Sequence, residues 1–199
     1  MFLCFVDYTK AFDTVSHDQL WVTMIDMDFP IHIVDLIRKL YIRQQSIVRT
    51  LAGTSTWFSV KRGARQGCIL SPYLFNLYAE RATREALDGY DRGFRIGGRE
   101  INNLRYADDI VLIATSVNEL QQLVDRVRVA SQKLGLIINT AKTKVMVSAM
   151  TKEIASITVN GQILEQVSSF VYLGAVFTDD SDCSKDIRKR LAMGRTAMQ

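Results

Sequence analysis

The feature that most constrains this chain is a pair of adjacent carboxylates, Asp108 and Asp109, which separates two apolar stretches in the run INNLRYADDIVLIAT. Moving an ionised carboxylate into an apolar environment is costly unless it is paired or hydrogen-bonded. A bound metal ion would offset this cost, because hard cations take carboxylate oxygens as ligands. The pair therefore predicts either a tight turn between two strands or an acidic site that binds a cation.

A third carboxylate, Asp7, ends the apolar run MFLCFV and begins FVDYTKAFD. Carboxylates at the ends of apolar strands are what a two-metal phosphoryl-transfer site requires, because one of them must bridge both ions. Each member also has an ordinary explanation, since Asp tolerates turn dihedrals and strands often end in Asp. Asp13 competes with Asp7 on sequence alone, but its place beyond the strand end favours a capping or turn position.

Composition is that of a folded domain. The chain has 199 residues, of which 48% are hydrophobic and only two are prolines, so it can bury a substantial core and is not expected to be disordered. Its net charge of +4 and pI of about 9.0 suit a polyanionic partner and suit an ordinary basic surface equally well. We find no linker, repeat or low-complexity segment, and expect one compact unit.

The cysteines and the N-terminal apolar segment indicate the cellular compartment in which the protein is expected. Cys4, Cys68 and Cys183 show neither disulfide nor metal-ligand spacing, so we expect reduced thiols in an intracellular protein, in the nucleus, the cytoplasm or both. The run MFLCFV is too short for the core of a signal peptide, and no basic region precedes it. No apolar stretch approaches membrane-spanning length, so no membrane partner is expected.

Helices are predicted from capping residues and apolar spacing. A capping box at Ser16–Gln19 begins a helix to about Met27, and a second helix follows Pro30. Ser71-Pro72 supplies an N-cap and an N1 proline for a helix to about Leu87.

Two further helices are predicted in the C-terminal half. A second capping box, Ser116–Glu119, begins a helix that Gly135 ends. A basic helix runs from Ser184 to the C-terminus. The inner face of the helix after Ser116 carries Leu120, Leu123, Val124, Val127 and Leu134.

Strands and turns fill the rest of the chain. We expect single strands at Phe2–Val6, at 144–148 and at 168–178, and hairpins at 46–60, 94–101, across Asp108-Asp109, and at 157–164 around Asn160-Gly161. Because antiparallel hairpins mix with helices rather than alternating with them, the fold class is α+β.

Five segments in order resemble the motifs of reverse transcriptases: FVDYTKAFDTVSH, GARQGCILSPYLFNLY, YADD, LGLIINTAKTK and FVYLGAVF. The sequences of these segments are most similar to those of the enzymes of LINE-type, non-LTR retrotransposons. The resemblance runs from about Phe2 to Phe177. It implies a polymerase palm, a small and mostly antiparallel sheet backed by helices, with the Asp-Asp hairpin facing a groove. The implied activity is RNA-directed DNA synthesis, with an RNA template, a DNA primer and deoxynucleoside triphosphates as partners.

The resemblance also assigns roles to the acidic residues. Asp7 and Asp108 would hold two Mg²⁺ ions, with Mn²⁺ as a possible substitute, and Asp109 would be the less constrained member of the set. The backbone carbonyl of Val6 or Tyr8 would add a neutral oxygen ligand.

Substrate contacts follow from the same resemblance. Phe12 would pack against the nucleotide sugar and exclude a 2′-hydroxyl, although a single Phe is usually a core residue. Arg65, Gln66 and Gly67 match the motif beside the nucleotide and template, with Gly67 allowing close backbone approach. Lys142, preferred to Lys144, would lie near the triphosphate; a solvated lysine is the alternative.

Nucleic-acid contacts are implied for residues in two other places. The hairpin Tyr172-Leu173-Gly174 matches the one that grips the primer end, although ordinary strand packing explains it too. Tyr106 belongs to the same predicted surface. The cluster Lys185, Arg188, Lys189, Arg190 and Arg195 would follow phosphates or form a solvated helix face.

The expected organisation is a palm over 1–178, with a partial fingers hairpin at about 46–60, and the start of a thumb or connecting helix over 179–199. The family's preceding fingers segment and most of its thumb are missing from these residues, so we expect poor polymerisation by them alone. An inactive remnant that binds nucleic acid or protein is the alternative. A two-metal nuclease or phosphatase is disfavoured, because no Asp-x-Asp nucleophile or His-rich cluster occurs.

Overall fold

The computed structural model describes residues 1–90, 92–148 and 154–198. They form two compact units, whereas the sequence predicted one. The first, the sheet unit, comprises Met1–Tyr8, Gly89–Arg128 and Ile138–Gln199; the second, the helical unit, comprises Thr9–Asp88 and Val129–Ile137. The predicted division into a palm over 1–178 and a terminal segment over 179–199 stays a prediction.

The described residues combine short strands with six helices. The strands are β1 (Phe2–Val6), β2 (Gln45–Ser46), β3 (Arg49–Thr50), β4 (Gly53–Thr54), β5 (Phe58–Ser59), β6 (Phe94–Ile96), β7 (Arg99–Ile101), β8 (Asn103–Tyr106), β9 (Asp109–Ala114), β10 (Lys144–Val147), β11 (Thr158–Val159), β12 (Gln162–Ile163), β13 (Glu165–Gln166), β14 (Ser169–Tyr172) and β15 (Ala175–Thr178). The helices are α1 (Ala11–Thr14), α2 (His17–Asp26), α3 (Ile31–Tyr41), α4 (Ser71–Leu87), α5 (Val117–Lys133) and α6 (Ser184–Ala197). The α+β prediction is confirmed.

A five-stranded sheet is the frame of the sheet unit, with strand order β13-β10-β1-β9-β8. All of its pairs are antiparallel except the β10–β13 pair. Strand β1 lies in the centre, and all five of its residues are buried, as its continuous apolar run predicts. Its register against β9 runs from Phe2↔Ala114 to Val6↔Ile110.

The two faces of this sheet are both covered. Side chains alternate along a strand, so Leu3 and Phe5 share one face and Cys4 lies on the other. The first face forms a core with the hairpin β14–β15; its buried residues are Leu3, Phe5, Val111, Ile113, Met146 and Tyr172. On the second face Cys4 and Leu112 are completely buried. Burial on both sides makes the strand ends rigid places to mount functional groups.

Helix α5 confirms its predicted apolar face, since Leu120, Leu123 and Val124 are completely buried. The capping box is half formed. Ser116 Oγ accepts the N–H of Glu119 at 3.2 Å, but the Glu119 carboxylate turns to the N–H and hydroxyl of Thr115. Gly135 follows the helix with φ of 78°, a left-handed conformation that glycine adopts without strain.

The helical unit contains the three other predicted helices, with corrections at two caps. Helix α2 begins at His17 as expected, but Ser16 makes no side-chain cap. Helix α4 begins at Ser71 itself, so Ser71 is not the N-cap; its hydroxyl donates to the carbonyl oxygen of Arg65 at 2.5 Å. That bond ties the loop before the helix to its first turn, and the helix has no side-chain N-cap.

The hairpins at 46–60, 94–101 and 157–164 are confirmed by the pairs β2–β5, β3–β4, β6–β7 and β11–β12. The single strand that the apolar pattern predicted over 168–178 is wrong, whereas the hairpin that the resemblance implied at Tyr172-Leu173-Gly174 is confirmed. This stretch is a hairpin, β14–β15, turning at Leu173 and Gly174, whose φ values are 48° and 81°. Two consecutive left-handed residues reverse the chain, which the local apolar pattern did not reveal.

Helix α6 confirms the predicted terminal helix up to Ala197, and Gln199 lies outside the described residues. None of its residues is buried. Its first turn is attached to β15, because the N–H of Val176 donates to the Asp186 carboxylate at 2.9 Å. In the part of the chain that the structure describes, no helix is both long and apolar enough to cross a bilayer.

Candidate active site

The Asp-Asp hairpin is formed by β8 and β9. Tyr106 pairs with Asp109, so Ala107 and Asp108 are the two turn residues. Ala107 has φ of 55°, a left-handed conformation that costs about 1–2 kcal/mol for a residue with a Cβ atom. A strained residue beside an acidic pair is an observation that points to function.

Asp7 follows β1 and lies beside this turn. Continuing the β1–β9 register one step beyond Val6↔Ile110 sets Asp7 across from Asp109. Both residues therefore belong to the face of the sheet that carries Phe5 and Val111. The structure thus brings together two of the three predicted carboxylates by strand pairing, and the turn supplies the third.

The backbone of Asp7 is held on both sides by a segment that begins at Asn139. The Asp7 N–H donates to Thr143 Oγ1 at 3.1 Å, and the Asn139 N–H donates to the Asp7 carbonyl at 2.8 Å. Sequence reasoning missed Thr143 as part of the site. A buried hydroxyl gives no sequence signal beyond its place in the run NTAKTK.

The acidic residues destabilise one another's ionised forms. The pKa of Asp109 is raised by partial burial, then by the neighbouring charge of Asp108, and then by that of Asp7. Asp7 Oδ2 is buried and has no hydrogen-bond partner within residues 1–90, 92–148 and 154–198. Removing a carboxylate oxygen from water without a partner is unfavourable, and a bound cation would relieve both effects.

The described side chains do not form a complete set of metal ligands. Among the described residues, no group of three or more His, Cys, Asp or Glu side chains is arranged to hold a metal ion. The unpartnered oxygen of Asp7 and the raised pKa of Asp109 nevertheless fit a divalent cation. The predicted assignment of Asp7, Asp108 and Asp109 as ligands stays a prediction.

A cavity of about 330 Å³ opens beside these carboxylates. Its wall includes Asp7 and Asp109, the lysines Lys142 and Lys144, and the rings of Phe5, Phe170 and Tyr172. The Lys144 ammonium forms an ion pair with the Glu165 carboxylate at 2.7 Å and donates a hydrogen bond to the Ala141 carbonyl at 2.5 Å. Lys142 is exposed and forms no side-chain ion pair among the described residues, so its charge is available to a ligand.

The cavity is closed on one side by the β14–β15 hairpin. The Tyr172 hydroxyl donates to the Asp109 carbonyl at 3.2 Å, and burial together with the Asp109 charge raises the pKa of Tyr172. Leu173 lies at the turn and is 52% exposed. Gly174 completes that turn, so of the three predicted primer-contacting residues Tyr172 contacts Asp109 and the other two form the turn that follows it.

The predicted sugar contact and the Arg-Gln-Gly loop belong to the helical unit. The Phe12 ring is half-buried and stacks on Phe75, with centroids 4.3 Å apart and an interplanar angle of 24°. Arg65 is exposed, with its guanidinium 5.7 Å from the Tyr41 ring centroid. Gln66 and Gly67 are exposed too, and Gly67 has φ of 77°.

The other predicted nucleic-acid contacts are all accessible. Tyr106 is 66% exposed, beside the Asp-Asp turn. Arg188 and Lys189 are exposed on α6. Exposure is necessary for phosphate contact but does not test it, and these roles stay predictions.

Comparison with known proteins identifies the family. Residues 2–177 match the family described as reverse transcriptase (RNA-dependent DNA polymerase). The chain is 32% identical over 137 residues to the Pol polyprotein of the R2DM retrotransposable element of Drosophila melanogaster, covering 69% of this chain and 13% of that protein. It is 30% identical over 189 residues to the R2 Pol polyprotein of Bradysia coprophila, covering 88% and 21%.

The fold is shared with a solved telomerase. Candida tropicalis telomerase in complex with a TWJ fragment of telomeric RNA matches with a TM-score of 0.65 over 93% of this chain and 29% of the telomerase chain, at 14% identity. At that identity the likeness concerns the fold alone, and it confirms the predicted palm-like arrangement. The family match over residues 2–177, with the R2 relatives, leads to one conclusion: the chain belongs to the reverse transcriptase family, among the enzymes of LINE-type, non-LTR retrotransposons.

Proposed function

We propose that this chain is the catalytic palm of an RNA-directed DNA polymerase. The observation that carries the proposal is the strand register that sets Asp7 across from Asp109, beside the turn that contains Asp108. The chain spans only 13–21% of the length of the two R2 relatives, so activity and substrates are inferred from the site. A remnant that binds without catalysis is not favoured, because the family match includes all three carboxylates.

Reverse transcriptases use divalent metal ions, and we propose two Mg²⁺ ions here, with Mn²⁺ as a substitute. Asp7, Asp108 and Asp109 would hold them. When bound, the ions would neutralise charge on the reacting phosphate and on the attacking and leaving oxygens. The unpartnered Asp7 Oδ2 is the oxygen best placed to take a cation, because it has no competing donor.

The reaction is the attack of a primer 3′-hydroxyl oxygen on the α-phosphorus of a deoxynucleoside triphosphate. A new phosphodiester bond forms, the bond between the α-phosphorus and the oxygen that bridges to the β-phosphate breaks, and pyrophosphate leaves while the hydroxyl proton passes to solvent water. Positioning and charge neutralisation supply most of such catalysis. Lys142 would stabilise the pyrophosphate, since it lines the cavity with Asp7 and its ammonium is not held by a carboxylate.

By the motif match, Phe12, Arg65, Gln66 and Gly67 would contact the nucleotide and template. One face of the Phe12 ring is stacked on Phe75, so the sugar would contact the edge or the other face of the ring. Gly67 leaves open space where a Cβ atom would stand, which permits close approach of a ligand to the backbone. Each of these assignments rests on the motif and is supported by exposure or packing.

The nucleic-acid partner is supported by charge. Between Leu36 and Ala79 the chain has seven Lys or Arg and no Asp or Glu, although the whole chain has a net charge of only +4. Trp57 in this segment is 64% exposed and Phe58 46% exposed. Cations with exposed aromatic rings are the combination that holds single-stranded nucleic acid through phosphates and stacked bases. We propose an RNA template and a DNA primer as the partners.

Metal binding is the first test, because it does not depend on turnover. The melting temperature of the purified chain should rise with Mg²⁺, and Asp7→Asn, Asp108→Asn and Asp109→Asn should each abolish or strongly weaken the rise. Asp13→Asn is the matched control, an exposed aspartate in the helical unit that should leave the rise unchanged.

Templated primer extension with Mg²⁺ or Mn²⁺ is the second test. Incorporation that depends on template, metal and Asp108 would support the proposal. Incorporation that survives Asp108→Asn would contradict it. A wild-type chain that shows no response to either metal would contradict the proposed metal site.

A further inference from the structure

The residue that holds the Asp7 backbone is completely buried and chemically specific. Thr143 has no exposed surface, and its hydroxyl oxygen accepts the Asp7 N–H at 3.1 Å. The β1–β10 ladder ends with the Phe5↔Lys144 pair, two residues before Asp7. The hydroxyl therefore provides an acceptor at the point where the strand ladder no longer does.

The position of Thr143 is itself fixed by the turn that precedes it. Its N–H donates to the Asn139 carbonyl at 2.8 Å, and Asn139 N–H donates to the Asp7 carbonyl at 2.8 Å. The Asn139 side-chain oxygen accepts the N–H groups of Ala141 at 3.2 Å and Lys142 at 3.3 Å. One turn thus orders its own backbone and both polar backbone groups of Asp7.

This arrangement matters because the Asp7 carboxylate is not held by its own contacts. Among the residues that the structure describes, no donor lies within hydrogen-bond distance of Asp7 Oδ2. With the backbone fixed at both N–H and C=O, only the side-chain torsions remain to be ordered when a ligand binds. Fixing the residue that carries a ligand is how residues outside the first coordination sphere raise metal affinity.

We propose that Thr143 is a positioning residue that fixes Asp7 for cation binding through the Asp7 backbone. This inference rests on the proposed function, since it takes Asp7 as a cation ligand. It adds a residue that the motif comparison left without a role. The same turn carries Lys142, so a loosened turn would also move this lysine of the cavity, which forms no ion pair with another described residue.

Three substitutions of Thr143 distinguish the effect of its hydroxyl group from the effect of its packing. Thr143→Val keeps the shape and removes the acceptor, which leaves the Asp7 N–H without its partner. Thr143→Ser keeps the hydroxyl and removes a methyl group. Thr143→Ala removes both and leaves room for a water molecule, and it replaces Thr143→Val in the comparison if that variant does not fold.

Two readouts decide the proposal. Amide hydrogen exchange of Asp7, measured by NMR without metal, should show protection in the wild type and Thr143→Ser and lost protection in Thr143→Val. Mn²⁺ affinity, measured from the EPR signal of the free ion, should fall about 10-fold in Thr143→Val and be restored in Thr143→Ser. A role in stability alone would lower the melting temperature without moving the Mn²⁺ affinity of the folded protein.

The outcomes distinguish this inference from the proposed function. If the wild type binds no Mn²⁺, the proposed metal site fails and the inference fails with it. If the wild type binds Mn²⁺ and Thr143→Val binds it equally well, only the inference is overturned. Loss of folding in both Thr143→Val and Thr143→Ala would assign Thr143 to stability and would also overturn it.

Discussion

The hydroxyl group of Tyr172 donates a hydrogen bond to the backbone carbonyl of Asp109 across 3.2 Å. This bond joins the β14–β15 hairpin to the first residue of β9. Tyr172 is only 9% exposed, and it belongs to the same core as Phe5 and Val111. The hairpin that is predicted to contact a primer is therefore fixed to the strand that carries a candidate catalytic carboxylate.

Replacing Tyr172 with Phe should remove this bond and keep the ring. We expect a loss of about 0.5–1.5 kcal/mol in the free energy of unfolding, the usual net value of one such bond. Urea denaturation would measure it. Tyr73→Phe is the control, since Tyr73 is 70% exposed and its hydroxyl has access to water. Equal stability of Tyr172→Phe and wild type would show that the bond contributes nothing.

Neutralising Asp109 should stabilise the metal-free protein. The pKa of Asp109 is raised in the folded state, so its ionised form opposes folding above that pKa, and the opposition fades as the pH falls through it. Asp109→Asn should therefore melt at a higher temperature than wild type at pH 7, with a difference that shrinks on acidification. Thermal melts from pH 7 to pH 4 in EDTA would check this. A difference that grows on acidification would contradict the electrostatic assignment.

The three thiols should react at very different rates. Cys4 is completely buried, and burial raises the pKa of its thiol to about 12, whereas Cys183 is exposed and Cys68 is half-buried. Thiolate is the reactive form, so at pH 8 a disulfide reagent should modify Cys183 quickly, Cys68 more slowly and Cys4 only after unfolding. Mass spectrometry of the labelled protein over time would give the order. Early labelling of Cys4 in the native protein would contradict the buried position of β1.

Shortening Phe12 should relax sugar selection. If the ring excludes a 2′-hydroxyl, Phe12→Val in a complete enzyme that carries this palm should raise the incorporation of ribonucleotides relative to deoxynucleotides in primer extension. The substitution also removes the stack with Phe75, so some stability should be lost, about 0.5–1.5 kcal/mol beyond the loss of buried area. Phe75→Leu, which breaks the stack from the other side, is the control. If the selection between the two sugars is unchanged and activity is retained, Phe12 is a packing residue and does not exclude the 2′-hydroxyl.

Substitutions of the two lysines of the cavity should have different effects, one on nucleotide incorporation and the other on stability. Lys142→Ala should slow nucleotide incorporation with little change in stability, because its side chain is exposed and forms no ion pair among the described residues. Lys144→Ala should cost up to about 1 kcal/mol of stability, because it breaks the partly exposed Glu165 pair. Single-turnover kinetics and urea denaturation would distinguish them. A larger kinetic effect from Lys144→Ala would reverse the assignment.

Much of this protein was determined by its sequence alone. Local rules place α2, α3, α4 and α5, the Asn160-Gly161 turn and the Asp-Asp hairpin, because caps, glycines and apolar periodicity act within a few residues. The motif order was enough to indicate the family. Local rules failed at Ser16 and Ser71, where the side chains did not take the cap, and at 168–178, where the left-handed Leu173 turns a strand into a hairpin.

Only the tertiary structure decided which residues meet. Asp7 lies across from Asp109 because β1 pairs with β9 in one register, and a shift of one residue would place Asp7 on the opposite face of the sheet. Thr143 reaches the Asp7 N–H because β10 pairs with the other edge of β1. Such contacts join residues about a hundred positions apart in the chain. They depend on burial of whole strand faces, which no local pattern specifies.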